Sequence, residues 1–219
     1  MHRVTQFGLV NTYLVEEDDG LTLVDTGAKG NAKRILAAAA ATGRPIVRIA
    51  LTHAHDDHVG SLDALHAALP DAEVIISSRD ALLLAGDKSP QPGEPQHKPK
   101  GGLSGAKTRP TRTVEPGDRI GSLEVVAAPG HTPGHVAFLD TRDRSLYCGD
   151  AYATVGGVAT TAKSKLVFPL PGLATWDKPT ALESAKALRA LDPARLAPGH
   201  GKVVETPGAA MDAAIARGA

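Results

Sequence analysis

The chain has 219 residues, enough for one large domain with a substantial core, and its 24 Lys+Arg balance 24 Asp+Glu. That neutrality gives no general pull towards nucleic acid or anionic membranes. A single cysteine, Cys148, excludes an internal disulfide framework and any Cys-x-x-Cys metal site. No apolar run approaches the roughly 18 residues of a membrane helix, and Met1 to Gln6 has no signal-like apolar stretch, so a cytoplasmic protein is expected. Aromatic residues make up only 3% of the chain, which leaves Val, Leu, Ile and Ala to build the core.

In chain order, Val10 to Val15 and Leu21 to Asp25 are β-type runs joined by the turn signal Glu16 to Gly20. The second run leaves a carboxylate, Asp25, at a strand end. Asn31 to Thr42 is alanine-rich and closes on Gly43, which predicts a helix with a glycine stop. Val47 to Leu51 is an apolar strand that runs into a polar cluster. Leu62, Leu65, His66 and Leu69 have helical spacing up to Pro70, Glu73 to Ile76 is a short strand, and Ser78 to Ala85 is a helix.

Gly86 to Arg112 breaks this rhythm. It is dense in Pro, Gly and Lys, has no hydrophobic period, and is longer than ordinary connections. It reads as a functional lid or as a solvated, disordered insertion, in either case lacking core residues. Its basic residues (Lys88, Lys98, Lys100, Lys107, Arg109, Arg112) outnumber Asp87 and Glu94, so a lid here would favour an anionic substrate. Short strands resume at Thr113-Val114, Arg119-Ile120 and Leu123 to Ala128. Val136 to Asp140 and Ser145 to Cys148 form a hairpin, Pro179 to Leu191 an amphipathic helix, Arg195 to Ala197 a strand, and Met211 to Ala216 a last helix. A hairpin followed by β-α-β units, then a second sheet with helices, predicts an α/β fold.

The chemistry is concentrated after the Val47 to Leu51 strand. His53, His55, Asp56, Asp57 and His58 fall within six residues, a density of imidazole and carboxylate that packing does not require. In extended backbone His53 and His55 point to the same side, and Asp57 and His58 follow where the chain turns before Gly60. Three further sites each follow a predicted strand and are flanked by glycine: His131 in Pro129-Gly130-His131-Thr132-Pro133-Gly134-His135, Asp150 after Gly149, and His200 between Gly199 and Gly201.

These motifs, in this order from about Asn11 to His200, resemble the metallo-β-lactamase superfamily, whose members carry His-x-His-x-Asp-His after a strand. The resemblance implies a single αβ/βα four-layer sandwich with the site along the top, between the sheets. It implies that His53, His55 and His131 hold one divalent metal and that Asp57, His58 and His200 hold a second, with Asp150 bridging. Imidazole and carboxylate suit Zn²⁺ best, with Mn²⁺ or Fe²⁺ as alternatives. A bridging water that loses its proton would then be the nucleophile, with Asp57 and Asp150 as the carboxylates at the reacting centre.

An aspartate at position 150 is similar to the glyoxalase II and lactonase branches, whereas many true β-lactamases have Cys or Ser there. Glyoxalase II continues into a glutathione-binding helical region, which does not follow His200 here. Acyl-homoserine lactonases place a tyrosine three residues after the bridging aspartate; here Ala153 holds that place and Tyr152 is one residue early. The reading is a hydrolase of a small-molecule ester, thioester or lactone, with a lactonase, a β-lactamase-like hydrolase, a mononuclear iron persulfide dioxygenase or an inactive metal-binding module as alternatives. Asp25, His135, Tyr152 and Trp176 are candidates for supporting or substrate-contacting roles. Asp25 could orient a ligand histidine or merely cap a turn. Cys148 reads as a buried strand residue, and His2, His66 and His97 as ordinary histidines. A small-molecule partner is expected, without nucleic acid or membrane, and a homodimer is compatible with the sequence.

Overall fold

A polar strand with no apolar signature starts the chain. In the computed structural model, which describes residues 1–164 and 166–218, β1 (His2–Gln6) pairs antiparallel with β2 (Val10–Glu17), which pairs with β3 (Gly20–Val24). β1 is an edge strand with both faces partly solvated, so only Val4 and Gln6 are buried and alternation never becomes visible in the sequence. Three parallel strands complete this sheet: β4 (Ile46–Ala50), β5 (Glu73–Ser77) and β6 (Arg112–Val114). Their crossovers contain α1 (Ala32–Thr42), the one-turn α2 (Asp56–Val59), α3 (Leu62–Ala68) and α4 (Ser78–Leu84). The Ser77 hydroxyl caps α4 by accepting from the Asp80 N–H.

The second sheet is built from β7 (Arg119–Ile120), β8 (Leu123–Ala127), β9 (Val136–Asp140) and β10 (Ser145–Gly149), with a small ribbon, β11 (Tyr152–Ala153) and β12 (Ala159–Thr160), after it. α5 (Leu170–Ala174) and α6 (Lys178–Ala190) lead to β13 (Arg195–Pro198), β14 (Val204–Glu205) and α7 (Gly208–Gly218). β13 pairs parallel with β10, giving the order β14-β13-β10-β9-β8-β7.

Three apolar clusters show how the layers stack. Leu23, Ile49 and Ile76 of the first sheet pack on Ile35 of α1, Leu65 of α3 and Leu83 of α4. Val24, Ala50 and Ile75, on the opposite face, meet Val125, Phe138 and Tyr147 of the second sheet. Leu146 and Leu196 in turn meet Ala185 and Leu188 of α6 and Met211 of α7. The result is an αβ/βα sandwich. β9 and β10 are buried on both faces because a sheet covers one and helices the other.

Two expectations need correction. The last helix begins at Gly208, three residues before the expected Met211, because the Pro207 carbonyl accepts from the Met211 N–H and opens it earlier. The 86–112 insertion has no helix or strand before β6, but it is not without core residues. Leu103 is buried in the first cluster, and Thr108 donates from both N–H and hydroxyl to Asp63. A single leucine in a Gly/Pro/Lys-rich stretch makes no periodic pattern, so the sequence could not reveal it.

Candidate metal centre

Every polar residue of the candidate site sits just past the carboxyl end of a strand. Asp25 follows β3, His53 to His58 follow β4, His131 lies between β8 and β9, Asp150 follows β10 and His200 follows β13. His55 itself is extended (φ −70°, ψ 147°), and its ring lies 4.8 Å from that of His53. α2 then turns the chain sharply, with His55 at its N-cap, and brings Asp57 and His58 back towards the same centre. Asp56 turns outward instead, accepting from the N–H and hydroxyl of Ser104.

The donor atoms converge in two overlapping sets. His55 Nδ1 lies 3.1 Å from His53 Nε2 and 2.9 Å from His131 Nε2. On the other side, His200 Nε2 lies 3.2 Å from Asp57 Oδ2. Asp150 stands between them: Oδ2 is 3.4 Å from His131 Nε2 and 3.2 Å from His200 Nε2, while Oδ1 is 3.3 Å from His58 Nε2. All are buried except Asp57, which is half-buried at the floor of a cleft.

The outward-facing ring nitrogens fix the tautomers. His58 Nδ1–H donates to Asp25 at 2.8 Å, and His55 Nε2–H donates to the Lys100 carbonyl at 2.8 Å. His53 Nδ1–H points at the Thr52 hydroxyl, which itself donates to Asp25. His131 Nδ1–H points at Thr175 Oγ1, whose hydroxyl has the Thr161 and Pro171 carbonyls within reach. The lone pairs of His53, His55, His58 and His131 are therefore all aimed inward. Asp25 makes three such contacts from a left-handed backbone (φ 59°), a conformation that aspartate tolerates better than most residues.

The local electrostatics divide the centre in two. Burial pushes the imidazoles of His53 and His131 well below the usual histidine range. Burial also opposes charge on His58 and His200, but Asp150, with Asp25 beside His58 and Asp57 beside His200, outweighs it. His58 is raised, and His200 is raised to about 9. Asp150, despite burial, is held well below the carboxylate range by His200 and His58; Asp57, also against burial, is lowered to about 2 by His200 and His58.

The donor set suits divalent cations. His58 Nε2 and Asp150 Oδ1 are buried, face each other, and have no hydrogen-bond partner. Groups of three ligand atoms from His53, His55 and His131, from His53, His58 and Asp150, and from Asp57, His58 and His200 each lie within 4.8 Å of one another. Only oxygen and imidazole nitrogen are offered, a set suited to Zn²⁺, Mn²⁺ or Fe²⁺. Cys148 is two residues from Asp150 but belongs to the outer cluster, and burial pushes its thiol up, so no thiolate is offered.

The remaining candidates separate. His135 supports the site: Nδ1–H donates to the Ala128 carbonyl and Nε2 accepts from the Asp150 N–H, while burial lowers its imidazole to about 3. Gly149 (φ 47°) is required here, since a Cβ would lie 2.6 Å from His135 Nε2. Tyr152 turns away; its ring packs in the outer cluster and its hydroxyl donates to the Ala185 carbonyl. Trp176 does not line the cleft with its ring. Its backbone N–H donates to the His131 carbonyl and its indole N–H to the His97 carbonyl. His97 returns the contact through Nε2–H to the Trp176 carbonyl, so it latches the insertion rather than being an ordinary surface histidine. His2 pairs with Glu16 at the surface, and His66 is half-buried on α3.

Two features escaped the sequence. Asp80 is fully buried and accepts from the Ala54 N–H, the Thr132 hydroxyl and the Gly134 N–H, tying the two histidine loops together. In the first turn of α4 it reads as an ordinary helix-start acid. The insertion backbone also approaches the site, where a Cβ at Gly101 (φ 87°) would lie 2.5 Å from His55 Nε2. The cleft above the donors has a volume of about 290 Å³, and Phe168, Leu170 and Leu9 lie along its walls.

The family model of the metallo-beta-lactamase superfamily matches residues 5–200. The chain is 46% identical over 207 residues to the uncharacterized protein YobT of Bacillus subtilis, covering 94% of this chain and 89% of that one. It is 28% identical to the probable metallo-hydrolase YflN of the same organism, covering 88% and 81%. A solved structure of TTHA1623 in a di-iron-bound form superposes with a TM-score of 0.70 at 32% identity, over 95% of this chain and 96% of that one.

Proposed function

Because the chain belongs to the metallo-β-lactamase superfamily and is a metal-dependent hydrolase of it, we propose that it holds two divalent metals and cleaves a small-molecule ester, thioester or lactone. The observation that carries this reading is the position of Asp150, with one oxygen near both His131 and His200 and the other near His58. In this reading His53, His55 and His131 hold the first ion, Asp57, His58 and His200 hold the second, and Asp150 is shared. Such a pair supplies an acidified water and an electrophile for the acyl oxygen.

The chain's own residues do the rest. Asp57 and Asp150 both stay ionised at neutral pH, which balances cationic charge at the centre. Asp25, Thr52, Thr175 and the Lys100 carbonyl keep the imidazole tautomers fixed, so no reorientation is needed when substrate enters. The oxygen and nitrogen donors suit zinc and also admit iron or manganese. The test is metal analysis of natively purified protein, followed by a panel of esters, thioesters, lactones and β-lactams. Acyl cleavage that a chelator abolishes and added metal restores is the expected result; a fully loaded protein inert across the panel would sink the reading.

A second reading, a redox enzyme on iron, draws on the di-iron-bound form of the relative at 32% identity. Oxygen consumption by the iron-loaded protein in the presence of a persulfide separates the two.

A further inference from the structure

We infer that the cleft selects a neutral substrate carrying an apolar acyl group of about six to eight carbons; the inference deepens the hydrolase reading and rests on it. Apart from the donors, the cleft is walled by Leu9, Val10, Phe168, Leu170, Pro171 and Ala174, and no Lys or Arg is among its described lining residues. This departs from the expectation that the basic insertion favours an anionic substrate. The insertion lends the cleft Gly102, not a cation. Among the described lining residues a carboxylate or phosphate on the acyl side would find no cationic side chain to repay its lost water.

The apolar wall begins directly at the reacting centre. The Phe168 ring centroid lies 5.3 Å from that of His200, so a chain leaving the scissile carbonyl on that side meets hydrocarbon at once. Leu9 and Leu170, which line the cleft, are also exposed to solvent, so the apolar wall reaches its mouth. Leu170 is 64% exposed. A cleft of about 290 Å³ holds the scissile group and a short chain at about 30 Å³ per non-hydrogen atom.

The experiment uses the metal-loaded protein with p-nitrophenyl acetate, butanoate, hexanoate and octanoate, and with mono-p-nitrophenyl succinate as an anionic counterpart of the butanoate. A fully buried methylene is worth about 0.8 kcal/mol, a factor of about four, so kcat/KM should rise at least about tenfold from acetate to hexanoate. Succinate should fall at least about tenfold below butanoate. Leu170→Ser, at a largely exposed position that cannot upset the core, should lower the hexanoate-to-acetate ratio about threefold, and Phe168→Ala should lower it further. Equal rates for acetate and hexanoate, or preference for the succinate, would overturn this inference and leave the hydrolase reading intact. No cleavage of any ester, thioester or lactone with two metals bound would overturn both.

Discussion

Asp80 binds together two loops that must stay in register. Its two oxygens take three hydrogen bonds, one from Ala54 between two ligand histidines and two from the loop that carries His131. Burial raises its carboxyl, and the Thr132, Gly134 and Ala54 donors offset this only in part. In Asp80→Asn one oxygen becomes an NH₂ that faces donors, so at least one bond is lost at a fully buried position. Removing a hydrogen bond to a buried charged group costs about 1.5–3 kcal/mol, measurable by urea unfolding of the metal-stripped chain. If Asp80 also positions the ligands, zinc affinity should fall most at the His53, His55 and His131 set; a stability loss with unchanged affinity would make it purely structural. His200 carries a second prediction. Its value is raised to about 9 from 6.5, so in the metal-stripped chain its stabilising charge is fully present below about pH 6.5 and is lost as pH rises through about 9. Asp57 works oppositely, its contribution being lost as pH falls from 3.8 through about 2. Under the two-metal reading, a zinc ion bound through His200 must displace its proton at neutral pH. Zinc titrations at pH 7 should therefore release at least one proton, seen as heats that depend on the buffer's ionisation enthalpy, and none from His200 above about pH 10. Buffer-independent heats at pH 7 would contradict this.

At the scale of elements, the 86–112 insertion is a strap fixed along its length, with Ser104 held by Asp56 and Thr108 by Asp63. His97 and Trp176 exchange hydrogen bonds, the Lys100 carbonyl holds His55, and Leu103 enters the first core. Leu103→Ala should cost about 2–4 kcal/mol, the range for a buried leucine, and urea unfolding of the metal-stripped protein measures it. His97→Ala should cost under about 1.5 kcal/mol, since it loses one neutral hydrogen bond at a half-solvated site. A neutral effect of Leu103→Ala would mean the strap does not pack as described. The strap also shows where sequence reading stops. Strands ending in histidine or aspartate were legible because each joins an apolar run to polar ligand-type residues, packed densely at His53 to His58 and set beside glycine at Asp150 and His200. The strap's contacts are made by backbone groups, glycines and a scattered histidine, leucine, serine and threonine, and such a scatter leaves no period. β1 and α5 were missed for the same reason: one is a polar edge, and the other has five residues, two of them Pro171 and Gly172. Tyr152, a candidate for a supporting or substrate-contacting role, packs in the outer cluster, since a two-residue offset from Asp150 says nothing about which face of the ribbon it occupies.

Across the whole molecule, the donors come from both sheets. His53, His55, Asp57 and His58 follow β4 of the first, while His131, Asp150 and His200 follow β8, β10 and β13 of the second. Under the two-metal reading each ion is held by residues of both halves, so binding clamps the sheets at one edge while the apolar layer between them holds the rest. An ion that binds only the folded state stabilises by about 2.7 kcal/mol at 100 times its Kd, which in a protein of this size raises Tm by about 5–10 °C. Two ions should add two such steps, and chelation should remove both. Substitutions then separate the sites. Asp57→Ala removes a donor from the second set only, so it should leave about one metal per chain and keep one step of the Tm rise. Asp150→Ala removes the carboxylate within 3.4 Å of donors from both sets, so metal content should fall clearly below one per chain with little thermal gain from added zinc. Metal analysis after gel filtration, beside thermal melts with and without chelator, reads both quantities on the same samples. Identical metal contents in the two variants would break the shared-carboxylate assignment, and two metals in both would remove Asp57 and Asp150 from the centre altogether.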